Sequence, residues 1–391
     1  MWPAVTHETL PWRRDPDELA LVPKSKRRRI LSEYEAAVVP PIATCQLDLP
    51  HDIWRRIAEL ETSLVRFDTL MRVREFDLPL LLLRSESSSS SQIERLTSSA
   101  RNIALAELSG KAPKNAQLIA HNLAAMRTAL SLPDDLTVSG MIQIHCVLMG
   151  LEADELRDEQ VWIGGTPNSP HDASYVPPCA DRVWESLDDL CAFASRDDIP
   201  AIAKAAIVHA QFESIHPFTD GNGRTGRTLL HKMLLQEGVL AETTLPISTG
   251  LLHDIDQYLE ALTSYQQGNV FPIISCLADA LDVALALGMR AQGELALVLD
   301  GWRRVISERA GSAIHQLPDV LVEHPVLNAP LVAETLGITD RAARDLLRRA
   351  EQYGIVRRMG TERRGVFYQA DDLLDILDDL AADRSAWRTI T

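Results

Sequence analysis

The residues of this chain with the most chemistry in them lie at 216–227, where the sequence reads HPFTDGNGRTGR. A histidine, a carboxylate, a Gly-Asn-Gly turn and two arginines share this one short stretch. Histidine titrates near neutral pH and suits a general base. A carboxylate combined with phosphate oxygens and water is the donor set that Mg²⁺ prefers. Glycines allow positive φ and close backbone approach, so the amides of such a turn can converge on an anion. A base, a metal ligand, an amide cradle and fixed cations are what moving part of a nucleotide requires.

The elements that must hold these groups can be read on either side. Residues 201–214 place Ile202, Ala205, Ala206, Val208, Ala210 and Phe212 at helical spacing. Pro217 cannot continue that helix, and it pushes the preceding residue out of the helical region. His216 is therefore expected at a helix end, facing a loop. From Thr225 onward, Leu229, Leu230, Met233 and Leu234 resume a helix. The glycine turn then caps a helix N-terminus, where unpaired N–H groups and the macrodipole favour phosphate. Arg224 and Arg227 share a face of its first turn. They oppose the dipole there, an arrangement that makes sense if they answer a polyphosphate.

This segment resembles the signature loop of the Fic family, HPFx(D/E)GN(G/K)R, in full. The resemblance implies transfer of AMP from ATP to a hydroxyl side chain of a target protein. His216 would be the base that deprotonates the hydroxyl, and Phe218 an anchor in the core. Asp220 would hold the Mg²⁺ that bridges the α- and β-phosphates. Gly221, Asn222 and Gly223 would form the anion hole, with Arg224 and Arg227 on the β- and γ-phosphates. His209, His231 and His253 are read as structural or solvated.

Upstream, residues 85–96 read SESSSSSQIERL. A serine run by itself suggests a flexible loop. Its end resembles the inhibitory motif (S/T)xxxE(G/N) of Fic proteins that carry their own regulatory helix, expected here near residues 88–100. Ser90 and Glu94 match, while Arg95 stands where the family has Gly or Asn. The implied mechanism is a Glu94–Arg227 pair that occupies the cation meant for the γ-phosphate. Plain helix capping by Glu94 is the alternative.

Residues 161–178 (VWIGGTPNSPHDASYVPP) form the one convincing β element, short apolar runs around a turn-rich middle. They resemble the Fic flap, a hairpin that would hold a target peptide by main-chain hydrogen bonds, with Ile163, Gly164, Gly165 and Pro177-Pro178 fitting the family pattern. Tyr258 stands where relatives stack an aromatic ring on adenine. Tyr265 replaces the Asn that several members carry.

The chain has 391 residues, 46% hydrophobic and 24% charged, enough for two or three domains with ample core. A net charge of −16 argues against wholesale binding to nucleic acid or membrane. Five scattered cysteines without CxxC favour reduced thiols and a cytoplasmic location. No signal peptide is read at the start, and the longest uninterrupted apolar run, near Leu78–Leu83, is far short of a membrane span. The basic stretch KSKRRR at 24–29 is read as a solvated or intramolecular patch.

Near the C-terminus, residues 331–353 read as helix, turn, helix, with Thr339 or Asp340 as N-cap. Residues 355–368 then alternate around Gly360 and Gly365 like a two-stranded wing, and the whole resembles a winged helix. Residues 325–370 hold eight Arg against five acids, with Arg341, Arg344 and Arg348 on one helix face. DNA binding is permitted but not favoured over dimerisation or the placing of partners.

The expected fold is mostly α: an N-terminal helical region over 1–110, a Fic-type core with its flap over 111–290, and a helical linker with a winged helix over 291–391. The expected function is adenylylation of a target protein, including self-modification, with ATP and Mg²⁺ and with autoinhibition by Glu94. The alternatives are transfer of UMP or phosphocholine, removal of AMP, or a DNA-binding regulator that uses the core as a nucleotide sensor.

Overall fold

The computed structural model describes residues 2–12, 31–72, 78–133, 135–153, 155–166, 169–241, 243–359 and 366–382. The basic stretch at 24–29 and the glycines at 360 and 365 lie outside the described residues. The protein is mostly helical, at 64%, as the sequence periodicity requires. It divides into two compact units. One comprises Met1–Ala58, Thr128–Gln236 and Asp256–Leu277, and the other Glu59–Arg127, Glu237–Ile255 and Ala278–Thr391.

In the first unit, the helix Ala201–Ile215 is buried on nearly every face. A helix apolar all round belongs in the centre of a fold. It packs against the helices Asn222–Gln236 and Val183–Ala194, and Val138–Met149 lies against both of those. Thr137 and Gly150 cap Val138–Met149, the glycine in the left-handed region. Two strands, Thr6–Pro11 and Glu33–Val38, pair antiparallel with Thr6 opposite Val38. Ala37 then donates to the Val176 carbonyl at 2.9 Å, which ties this hairpin to the segment after residue 175. The Asp189 carboxylate accepts from the amides of Ile42 (2.5 Å) and Ala43 (3.1 Å) and anchors the chain leaving the second strand.

In the second unit, the helix Leu78–Ile93 carries the serine run, and Ser85, Ser87, Ser89, Ser90 and Ser91 are all buried. The run is no flexible loop. Small side chains let neighbouring backbones approach, and a buried hydroxyl needs a partner. Ser87 Oγ donates to the Ile119 carbonyl at 2.8 Å, and Ser91 Oγ to the Ser87 carbonyl at 2.9 Å. Ser89 Oγ lies 2.7 Å from Thr249 Oγ1. Glu86 accepts from the amide (2.8 Å) and hydroxyl (2.5 Å) of Ser248.

Arg84 of the same helix is buried and carries four bonds. Two go to the Glu107 carboxylate, at 3.1 and 2.9 Å. The others go to the carbonyls of Val322 (3.4 Å) and Glu323 (2.6 Å), which close the helix Leu317–Glu323. The Ala100 amide, at the start of the helix Ala100–Ser109, donates to Asp378 Oδ1 at 2.7 Å.

The C-terminal part of this unit contains helices Ala329–Leu336 and Asp340–Gln352, the second capped by Thr339. Strands Val326–Asn328, Phe367–Gln369 and Arg357–Met359 form one antiparallel sheet in that spatial order. Asp371–Ala382 is the last helix. The helix Phe271–Val305 is long and apolar enough, by length and composition, to cross a membrane, which the search for uninterrupted apolar runs missed. Of its most apolar window, 56% is buried inside the protein, and core helices pass the same test.

Replacing Ser89 by leucine should overpack this seam. The expected loss is about 1–3 kcal/mol, read as a lower thermal midpoint; an unchanged midpoint would mean that the helices around the serine run are not tightly packed.

Candidate active site

His216 ends the helix Ala201–Ile215 in a left-handed conformation, φ 52° and ψ 63°, with its amide 2.9 Å from the Phe212 carbonyl. Such a conformation is uncommon outside glycine and is held only where neighbours over-determine it. Four consecutive carbonyls at this helix end are bound by groups from residues 157 and 175. Tyr175 Oη donates to Ser214 O at 2.7 Å. Arg157 donates through Nη2 to Ile215 O at 3.4 Å and through Nε to His216 O at 2.8 Å. The Arg157 amide donates to Pro217 O at 3.0 Å.

Part of His216 is open to solvent, but its Nδ1 is buried. Burial lowers its pKa to about 4, and the Arg157 guanidinium adds to the fall. The Glu213 main chain and the Asp220 carboxylate act in the opposite direction. The imidazole is therefore neutral at physiological pH and able to accept a proton.

The loop that follows is held from below. The Phe218 ring is 1% exposed and stacks on His145, with centroids 3.7 Å apart and planes 1° apart. His145 Nε2 also lies 2.9 Å from the Asp220 carbonyl. Asn222 turns its side chain back on the loop. Its Oδ1 accepts from the Phe218 amide (2.9 Å), and its Nδ2 donates to the Phe218 carbonyl (2.8 Å). The side chain is thus spent on loop geometry, and the main-chain amides are what the turn offers to an anion.

Gly221 has φ +74°, and a Cβ there would meet Met149 Sδ at 3.1 Å and Leu148 Cδ2 at 3.2 Å. Only glycine fits. The Thr225 amide bonds to Gly221 O at 3.0 Å, so the helix begins here, and its first-turn amides have no acceptor within the helix. Asp220 is exposed, with Oδ1 accepting from the Gly221 amide at 2.6 Å. A solvent-facing carboxylate with one oxygen left over fits Mg²⁺. Among the described residues no group of three or more His, Cys, Asp or Glu could hold a metal by itself, so phosphate and water would complete the shell.

Arg224 and Arg227 are buried, at 3% and 2% exposed. Around Arg227 lie His209 and Tyr258, whose ring nitrogen and hydroxyl are 2.8 Å apart. Burial lowers the His209 pKa to about 3, and the Arg227 charge contributes. Tyr258, read from the sequence as a platform for adenine, is 3% exposed. Its hydroxyl is committed to His209 and Arg227, and burial raises its pKa. Its position is in the core because it completes the polar shell of a buried cation. Gly226 permits the two motif helices to meet, since a Cβ there would run into Glu213 Oε1 and lie 3.1 Å from Phe212.

The segment read from the sequence as a flap holds two isolated bridges, Ile163 opposite Tyr175 and Thr166 opposite Ser169, rather than named strands. Ile163 is 39% exposed. Gly164 and Gly165 make the turn with positive φ. Sequence reasoning did not find Arg157, Tyr175 or His145. Each is a common residue type outside the motif, and only the fold brings it to the loop.

Ser90 and Glu94 belong to the second unit, Ser90 buried and Glu94 partly exposed. The helix expected near 88–100 ends at Ile93 instead. The Leu96 amide bonds to Ser91 O (3.0 Å) and the Arg95 amide to Gln92 O (2.9 Å). This is a Schellman cap with Glu94 at the C-cap and Arg95, φ 63°, at the left-handed position. Glycine or asparagine is preferred there on steric grounds, which accounts for the Gly or Asn of the resembled motif.

With this geometry in place, the comparisons can be set beside it. The pattern of the Fic/DOC family matches residues 135–234, the segment that carries the loop. "Protein adenylyltransferase Fic" of Aedes aegypti is 29% identical over 173 residues, covering 43% of this chain and 32% of its own length. "Protein adenylyltransferase fic-1" of Caenorhabditis elegans is 29% identical over 159 residues, 39% of this chain and 28% of its own. The chain thus spans at most 32% of the length of these curated relatives. A Fic family protein from Desulfovibrio desulfuricans G20 shares the fold, with a TM-score of 0.54 and 20% identity over 85% of this chain and 98% of that one.

Replacing Arg95 by glycine removes the left-handed strain and should raise stability by roughly 0.5–1 kcal/mol. Denaturant unfolding of the two proteins measures it, and a loss of stability would show that the Arg95 side chain contributes more than its backbone costs.

Proposed function

We propose that this chain is a protein adenylyltransferase. A Ser, Thr or Tyr hydroxyl of a target protein gives its proton to His216 and attacks the α-phosphorus of ATP. One P–O bond forms, the bond to the bridging oxygen breaks, and pyrophosphate leaves. The observation that carries this reading is His216, held in a left-handed conformation at one helix end beside the amides that open the next helix. That first turn and its two buried arginines suit a triphosphate. The residues fit Mg²⁺ at Asp220, where the ion would offset phosphate charge. The names of the relatives support AMP as the transferred group. With Tyr258 in the core, base selection falls to other side chains.

The remaining parts of the reading are regulation and placement. Glu94 is proposed to pair with Arg227 in the resting protein and to displace the γ-phosphate. Ile163, Gly164 and Gly165 are proposed to hold the target segment. The C-terminal helices and sheet are read as a winged helix that serves dimerisation or the placing of partners. Several of its arginines already pair with acids: Arg344 with Asp340, Arg348 with Asp345, Arg349 with Glu308, and Arg357 with Asp371. That favours a protein contact over DNA. The five free thiols support a cytoplasmic location.

His216→Ala should lose transfer by about 10²- to 10⁴-fold while ATP still binds. In the wild type the required form of His216 is the deprotonated one, and its pKa is lowered to about 4. kcat/KM should therefore stay level from about pH 8 to about pH 5 and fall only below that. An acid limb near the ordinary histidine range would mean that burial does not hold the His216 pKa down in the working enzyme, and full activity in His216→Ala would mean that the base is another group.

Regulation is tested by the initial rate of AMP incorporation at equal ATP. Glu94→Gly should be faster than wild type, and equal rates would mean that Glu94 does not inhibit.

A further inference from the structure

We propose that Arg157 is a positioning residue that joins the flap to the catalytic loop, so that a target segment laid on the flap is brought into register with His216. The inference rests on the reading of His216 as the base. Arg157 lies outside the signature motif, and its side chain is 5% exposed. Its guanidinium spends its donors on main-chain carbonyls of three segments. These are Ile215 and His216 of the loop, Pro178 at the base of the flap (2.5 Å), and Glu159 beside it (3.0 Å). Burial draws its pKa down to about 10, which leaves it charged at neutral pH. A planar fork with a fixed charge is the group that can span carbonyls at these angles, and lysine cannot reproduce it.

Tyr175 closes the same joint from the far side of the flap. Its main chain faces Ile163, and its hydroxyl reaches Ser214 O. The left-handed His216 thus has every carbonyl around it tied to groups from residues 157 and 175. The flap and the base are one mechanical unit, while the phosphate-binding turn has its own support from His145 and Asn222. Loosening Arg157 should therefore disturb target geometry and leave the ATP grip intact.

Arg157→Gln, Arg157→Lys and Tyr175→Phe are compared with wild type and His216→Ala by two readouts. The first is amide hydrogen exchange by mass spectrometry over residues 161–178 and 215–222. The second is the split between kcat and the two KM values, using a target protein found with the Glu94→Gly background. Arg157→Gln should speed exchange in both segments and lower kcat by about 10²-fold, the cost of a small misplacement, with KM for ATP unchanged. Arg157→Lys should fall between the two, and it carries the test if the glutamine variant fails to fold. Tyr175→Phe should raise KM for the target. Unchanged exchange at 215–222 in Arg157→Gln, an unchanged kcat, or a lysine variant equal to wild type would each overturn the proposal. His216→Ala should abolish transfer without altering exchange. If it retains transfer, the base reading fails, and the exchange data still decide whether Arg157 joins the two segments.

Discussion

The Phe218–Asn222 latch is the constraint on which the rest of the site depends. One asparagine side chain satisfies both the amide and the carbonyl of a single loop residue, and the ring of that residue is stacked flat on His145. Without it the turn between the two motif helices would be free to sample other shapes. With it, the end of one helix and the start of the next are fixed a few residues apart. A proton acceptor at the first and a set of amide donors at the second then have a defined separation. Neither group needs an unusual side chain. The chemistry comes from where two ordinary helix ends are made to meet.

Around that junction the protein buries charge where it can be answered. Arg227 is placed among His209, Tyr258 and the start of its own helix, and His209 is kept neutral there by burial and by the arginine itself. A neutral imidazole and a phenol next to a guanidinium add polar contacts without adding positive charge. The helix Ala201–Ile215 supplies both His209 and His216, and the two differ in surroundings more than in distance along the chain. His209 is enclosed, whereas His216 sits at the helix end with part of its surface open. The enclosed histidine and the one that reaches solvent are separated by the position of a helix terminus.

Much of this was legible in the sequence because it depends on short-range rules. Pro217 ends a helix wherever it occurs, and a glycine-rich turn before Leu229 and Leu230 has few other uses. The helical class followed in the same way, and the place of Phe218 in the core from the resemblance of the loop. What was illegible depends on long-range pairing. Arg157 reads as one more charge in a polar stretch until the fold sets it against residues 215–217. Tyr258 has the spacing of a core residue and also the place of a base platform, and only the burial of Arg227 decides between them. The serine run misleads for a related reason. Composition suggests a loop, but hydroxyls can find partners inside a close helix seam, as Ser87 does with Ile119 and Ser89 with Thr249.

The bonds of Arg84 bear on where the chain can be cut. Its guanidinium, enclosed within the second unit, relies on carbonyls contributed by residues 322 and 323, far along the sequence. A shortened protein ending before Leu317 would leave that cation with the Glu107 carboxylate and two donors facing vacant space. The Ala100 amide would likewise lose the Asp378 carboxylate. Stripping partners from an enclosed ion is among the more damaging changes a fold can suffer. The serine helix and its neighbour are therefore completed by residues 322, 323 and 378, and a recombinant fragment ending before Leu317 would carry them in an unfinished state.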